Sequence, residues 1–318
     1  MHMNISWTWV VYLAVVPVVI LLALWWLRRE LTPARLSHPD GRDSFLPTPQ
    51  NLRIPTQNQR YLFAQWLPQA PSKQILGTAI LMHGWGGNGS QLMPAARQLH
   101  EQGWSVLLPD ARCHGLSDSD TFSSLPRFAE DLDAALNWLL EHEDASKHRL
   151  VVLGHSVGAA AAILCASRRK DVSAVVSVSA FAHPEQVMRR WLAEYHIPFW
   201  PVGWLINRYI EHVIGHRFDD IAPVNRIGLI ASPILLVHGS RDDIVPLDCA
   251  VQLRDAAAKA TLLEVAGSHE SFDNQENLYQ EVNRWLCAAR DKASKKSIAF
   301  HSWPVHTARF TNAHNRGR

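Results

Sequence analysis

Gly154-His155-Ser156-Val157-Gly158 is a G-x-S-x-G sequence, the setting in which a serine hydroxyl is presented as a nucleophile. A hydroxyl attacks a carbonyl only when a base removes its proton. That base, in turn, needs an acid to fix its tautomer and to steady the imidazolium it becomes. Late in the chain, Ala266-Gly267-Ser268-His269-Glu270 offers His269 as the base. Between the two, His238-Gly239-Ser240-Arg241-Asp242-Asp243 offers Asp242 as the acid, with Asp243 beside it. Three groups of these types in this order point to acyl transfer through an acyl-enzyme.

Such chemistry also needs two backbone N–H groups aimed at the oxyanion that develops on the carbonyl. One is expected from Val157, directly after the nucleophile. The other is expected from Trp85, after His83-Gly84, where Gly86, Gly87 and Gly89 let the loop approach a substrate. His155 and the tryptophans Trp191, Trp200 and Trp204 are candidates for lining the substrate. His83 and His238, each in a His-Gly turn, read as hydrogen-bonded scaffold residues rather than metal ligands. Cys113 and His114 lack the spacing and partners of a zinc site. No metal or cofactor is required by the expected reaction.

The elements that must carry these groups are legible in the hydropathy pattern. Residues 60–67 alternate apolar and polar side chains, as an edge hairpin strand does. Short apolar runs at 78–82, 105–108, 150–153, 174–178 and 233–237 suit parallel strands buried on both faces, with 261–265 as a last strand. Helical periodicity over 90–102, 126–142, 156–169, 247–259 and 275–290 alternates with them. The pattern predicts an α/β fold, a mostly parallel sheet with helices on both faces. The elbow serine then stands between a strand and an Ala-rich helix. Its turn is strained, and side chains at 154 and 158 are expected to collide with neighbouring elements. Residues 181–225 interrupt the alternation with aromatics and prolines, and they read as a helical lid insertion.

Residues 59–290 resemble the α/β-hydrolase family. The likeness is to its lid-bearing serine hydrolases, which include monoacylglycerol lipases, esterases and serine aminopeptidase-like proteins. The matching motifs are L-M-H-G-W-G-G-N at 81–88, D-A-R-C-H-G-L-S at 110–117, G-H-S-V-G at 154–158, V-H-G-S-R-D-D-I-V-P at 237–246 and G-S-H-E at 267–270. The resemblance implies the α/β-hydrolase fold and a serine hydrolase acting on carboxylic esters, lipid-like acyl esters among them. Thioesterase, peptidase and acyltransferase activities use the same triad, and a non-catalytic binding protein of this fold is the remaining alternative. The family's spacing after His-Gly selects Asp242, with Asp243 still adjacent. Cys113 departs from the family by replacing a usual glycine, which puts the turn geometry there in question.

The ends of the chain differ from its centre. Residues 5–27 form an uncharged run of 23 residues, with Trp7 and Trp9 at one end and Trp25 and Trp26 at the other. As a helix it would reach about 34 Å, enough for a hydrocarbon core of about 30 Å, and indole rings favour the membrane interface. Residues 1–29 are therefore expected to be a single-pass transmembrane anchor. Arg28, Arg29 and Arg35 on its C-terminal side put the catalytic domain in the cytoplasm. Residues 30–58, rich in Pro, Arg and Gln, read as a linker, and 291–318 as a flexible basic tail. Of the 318 residues 47% are hydrophobic and 19% charged, which excludes a disordered chain, and a net charge of +2 gives no reason to expect nucleic acid as a partner.

Overall fold

The computed structural model describes residues 7–39, 48–70, 75–141 and 149–301, with side chains described between Val15 and Arg290. Eight strands form one sheet: β1 (Gln50–Thr56), β2 (Arg60–Leu67), β3 (Gly77–Met82), β4 (Trp104–Pro109), β5 (Leu150–His155), β6 (Val172–Val178), β7 (Ile234–Gly239) and β8 (Ala260–Val265). Their spatial order is β1-β2-β4-β3-β5-β6-β7-β8. The first two pairings, β1 with β2 and β2 with β4, are antiparallel, and the others are parallel.

Every residue of β3, β4 and β7 is buried, as continuous apolar runs between two helical layers must be. One layer packs α3 (Leu125–Glu141) and α4 (Val157–Ala166) on Ile80, Val152, Val175 and Leu236. The other packs α2 (Met93–Glu101) and the last helix (Gln275–His301) on Leu81, Val106, Leu153 and Val176. Ala159 to Ala162 are fully buried, and their small side chains let α4 lie close to the sheet.

Three expectations change. The segment 30–58 is not only linker, because it contains the edge strand β1. Ile54 alone is buried there, so the strand carries almost no apolar signal, and Pro55 is tolerated because an edge position needs no donor on its outer side. Residues 31–38 are docked as well: Arg35 donates to the carbonyls of Gly115 (2.9 Å) and Ser117 (2.7 Å), Asn88 to the carbonyl of Leu36 (3.0 Å), and Ser123 N–H to that of Leu31 (2.7 Å). The tail read from 291 on instead continues the last helix as far as His301, and the rest of it lies outside the described residues.

The first helix, α1 (Trp7–Glu30), contains Pro17. Among the described residues no helix is long and apolar enough to cross a membrane. Residues 5 and 6 of the expected span lie outside them, as do the side chains of 7–14. The anchor thus rests on the sequence pattern.

Candidate active site

Ser156 sits at the turn between β5 and α4 with φ 54° and ψ −119°, a conformation side chains other than glycine's rarely adopt. The flanking glycines explain why the turn is possible. A Cβ at Gly154 would lie 2.2 Å from the Gly158 carbonyl oxygen, and one at Gly158 would lie 2.4 Å from the carbonyls of Met82 and His83. The collisions expected at both positions are therefore present. The end of β3 is pressed against the elbow.

Beyond β7 and β8 lie the other two groups. Ser156 Oγ stands 3.0 Å from His269 Nε2, and His269 Nδ1 stands 2.8 Å from Asp242 Oδ2. The serine hydroxyl can donate to one ring nitrogen while the other donates to the carboxylate. Asp242 is enclosed: its Oδ1 accepts the N–H groups of Ile244 (3.1 Å) and Val245 (2.7 Å). Burial alone would raise its pKa, but the His269 hydrogen bond, the Val245 N–H and the charges of His269 and His238 hold it below the usual carboxylate value. Asp243 is exposed, and Asp242 is the neighbour that reaches the imidazole.

On the serine's other side, a Cβ added to Gly84 would lie 3.2 Å from Ser156 Cβ, so the loop carrying Trp85 runs alongside the nucleophile. Among the described residues no backbone carbonyl outside the regular elements accepts the N–H of Trp85 or Val157, and the latter opens α4, where N–H groups have no intrahelical partner. The Trp85 ring packs on Phe128 and His114. His83, as expected of a scaffold residue, spends both nitrogens, accepting from Ala111 N–H (3.0 Å) and donating to the Gly84 carbonyl (2.7 Å). His238 donates to the Val245 carbonyl at 2.8 Å.

His155 does more than line a pocket. Its Nε2–H donates to the backbone carbonyl of His269 at 2.8 Å, bracing the base. Burial lowers its pKa, which keeps the ring neutral, with one nitrogen as donor. It also lines a small cavity with His83, Gln91, Glu270, Phe272 and Tyr279.

None of the three lid tryptophans lines that cavity. Trp191, on α5 (Pro184–Glu194), is stacked on Trp26 at 5.4 Å, and Trp200 and Trp204 are 71% and 40% exposed. Trp191 thus faces the first helix, and Trp200 and Trp204 face solvent. The lid itself lies between β6 and β7, as expected, and continues from α5 into α6 (Trp204–Ile214).

The D-A-R-C-H-G motif builds a loop rather than a site. Asp110 accepts from Gly89 N–H (2.7 Å) and Leu116 N–H (2.8 Å) and pairs with His38 (2.8 Å). Arg112 is buried against Asp131 at 2.7 Å. Cys113 has φ 67°, the left-handed backbone that the family's usual glycine takes without strain. For a metal, His155, His269 and Glu270 bring one ligand atom each within 4.8 Å of one another. His155 Nε2 and both His269 nitrogens are already engaged, so a cation there would break the Ser156–His269–Asp242 chain.

Sequence reasoning missed residues 31–38 and the bracing role of His155. Most contacts of residues 31–38, a strap across the loops that follow β3 and β4, run through backbone carbonyls, which no side-chain pattern announces.

Comparison with known proteins agrees with this geometry. Residues 73–215 match the family model described as serine aminopeptidase, S33. The Bacillus subtilis protein YqkD is 27% identical over 211 residues, covering 64% of this chain and 69% of its own length. Protein bem46 of Schizosaccharomyces pombe is 24% identical over 218 residues, covering 65% and 68%. Among solved structures, the Pyrococcus furiosus esterase Pf2001 superposes with a TM-score of 0.66 at 20% identity, over 81% of this chain and 97% of that one. Est1E from Butyrivibrio proteoclasticus, solved with ferulic acid bound, gives 0.60 at 18% identity, over 76% and 99%. Sheet order, elbow and superposition together give this chain the α/β-hydrolase fold, and its motifs are similar to those of that family.

Proposed function

We propose that the protein hydrolyses carboxylic esters through Ser156. The observation that carries this reading is the chain of contacts Ser156–His269–Asp242, at 3.0 and 2.8 Å, at a strained elbow. His269 takes the Ser156 proton as Oγ attacks the acyl carbon. The Trp85 and Val157 N–H groups receive the oxyanion, and the protonated imidazole returns the proton to the leaving alcohol. Water, deprotonated by the same imidazole, then releases the acid and restores Ser156.

A lipid-like acyl ester is the substrate class we favour, and α1 is the support. It is 24 residues long, and Val15, Val16, Val18, Val19, Ile20, Leu21, Leu22 and Trp25 are all exposed. Apolar side chains at consecutive positions cover every side of a helix, and lipid is the solvent that suits such a surface. In this reading α1 is a single-pass anchor, and Arg28 and Arg29 at its C-terminal end support a catalytic domain on the cytoplasmic side. The match to serine aminopeptidases favours peptide bonds as a second substrate class.

The test is labelling by a fluorophosphonate probe, followed by p-nitrophenyl esters of rising chain length beside aminoacyl p-nitroanilides. Wild type should label and favour long-chain esters, and Ser156→Ala should lose labelling and roughly 10⁴-fold or more in rate. A Ser156→Ala protein that still labels would end the proposal, and anilides outpacing esters would move it to the peptidase reading.

A further inference from the structure

The acid loop is held from outside by the lid. Asp242 reaches His269 only while residues 242–245 keep the turn in which the Ile244 and Val245 N–H groups point back at its carboxylate. The carbonyls of that turn face the opposite way. Arg190 Nη1, on lid helix α5, donates to the carbonyl of Asp243 at 3.0 Å and to that of Ile244. One guanidinium thus spans two successive peptide groups of the acid loop, leaving their N–H sides for Asp242.

Arg190 is not an isolated side chain swinging in solvent. One turn earlier on the same face, Gln186 donates to Gln252 Oε1 (3.1 Å) and lies 3.3 Å from Cys249 Sγ. Both partners lie on α7 (Leu247–Asp255), the helix that follows the acid loop. Residues four apart share a helix face, so Gln186 and Arg190 form one edge of α5 applied to one structural unit. The next edge, again four residues apart, carries Trp191 and Tyr195. Trp26 of α1 stacks on Trp191 (5.4 Å, 22°) and meets Tyr195 edge-on (5.4 Å, 76°). Leu27 beside it is buried.

We infer that Arg190 is a positioning residue for the acid loop, and that α1, through Trp26, fixes the lid helix that carries it. The lid, in this view, is part of the apparatus that aims Asp242 at His269. The inference rests on the serine-hydrolase reading of Ser156 for its kinetic test, but not for its structural one.

Both tests use the full-length protein, with Arg190→Ala, Arg190→Lys and Trp191→Ala variants. In hydrogen exchange, Arg190→Ala should speed exchange of the Ile244 and Val245 amides while leaving the sheet amides unchanged. In kinetics, kcat should fall roughly three- to tenfold, the span expected for losing a charged donor at an exposed site, with KM within twofold. The acid limb of the kcat/KM profile should move to lower pH, because a misaimed carboxylate supports the imidazolium less. Arg190→Lys should recover part of each effect, and Trp191→Ala should reproduce them more weakly. Unchanged Ile244 and Val245 exchange in Arg190→Ala would overturn the inference whatever the enzyme's activity. So would a rate loss that comes with an unmoved pH profile and a general fall in thermal stability. Absence of fluorophosphonate labelling in wild type would instead reject the hydrolase reading and leave the exchange result to decide this one.

Discussion

Asp242 and Asp243 share a peptide bond and differ in almost everything that matters chemically. Asp242 accepts two backbone N–H groups and the His269 imidazole, whereas Asp243 is exposed and contributes its carbonyl to Arg190. Replacing Asp242 by Asn keeps the shape but favours the wrong imidazole tautomer, so kcat should drop by about 10³–10⁴. Asp243→Asn should stay within about threefold of wild type, since its side chain is solvated. Steady-state kinetics of the two variants on one ester decides between them, and the reverse ranking would move the acid to Asp243. At this scale Ser156, His269 and the two aspartates were readable from motif types and order. The family's spacing after His-Gly selected Asp242, with Asp243 left adjacent, because spacing alone cannot tell which of two neighbouring carboxylates turns inward; Asp242 is the one that reaches the imidazole. His155 was under-read for a similar reason: its bond to a backbone carbonyl depends on a loop 114 residues away.

Among the elements, legibility followed burial. The parallel strands were plain because both faces are covered, so the apolar run is continuous. Strand β1 escaped because only Ile54 is buried and its register with β2 is held by backbone pairing. The segment read as a lid holds helices between β6 and β7. Which neighbour each of its tryptophans meets was not legible, since aromatic content says nothing about which ring will pack on which. Helix α1 brings the sharpest expectation here. A helix with apolar side chains on all sides should keep the full-length protein in the membrane pellet after alkaline carbonate extraction. Release into the supernatant would reject the anchor and with it the main support for a lipid-like substrate.

For the whole molecule, acid sensitivity follows from buried imidazoles. Burial and the neighbouring His83 push His114 down to about 4 from 6.5, and burial lowers His83 and His155 as well. A histidine whose folded pKa is depressed stabilises the fold fully above 6.5 and progressively less as pH falls, because the unfolded chain takes up the proton first. For His114 the loss spans pH 6.5 to 4 and amounts to roughly 2–3 kcal/mol by pH 4.5, at about 1.4 kcal/mol per unit. Asp131, pushed up to about 6 by complete burial, works in the opposite direction over part of that window. A variant therefore isolates the His114 contribution better than wild type alone. Between pH 7.5 and 4.5, His114→Phe should lose clearly less thermal stability than wild type does, and equal losses would count against the assignment. The strap at residues 31–38 sets the limits of the catalytic unit itself. The Leu31 carbonyl, the Arg35 guanidinium, the Leu36 carbonyl and the His38 ring each supply a partner to Ser123, the 115–117 turn, Asn88 or Asp110. A soluble domain trimmed to the first strand would strip those partners from the loops around Ser156. The shortest chain that still carries the whole site must also keep the last turn of the apolar helix, where Trp26 meets Trp191 and Tyr195.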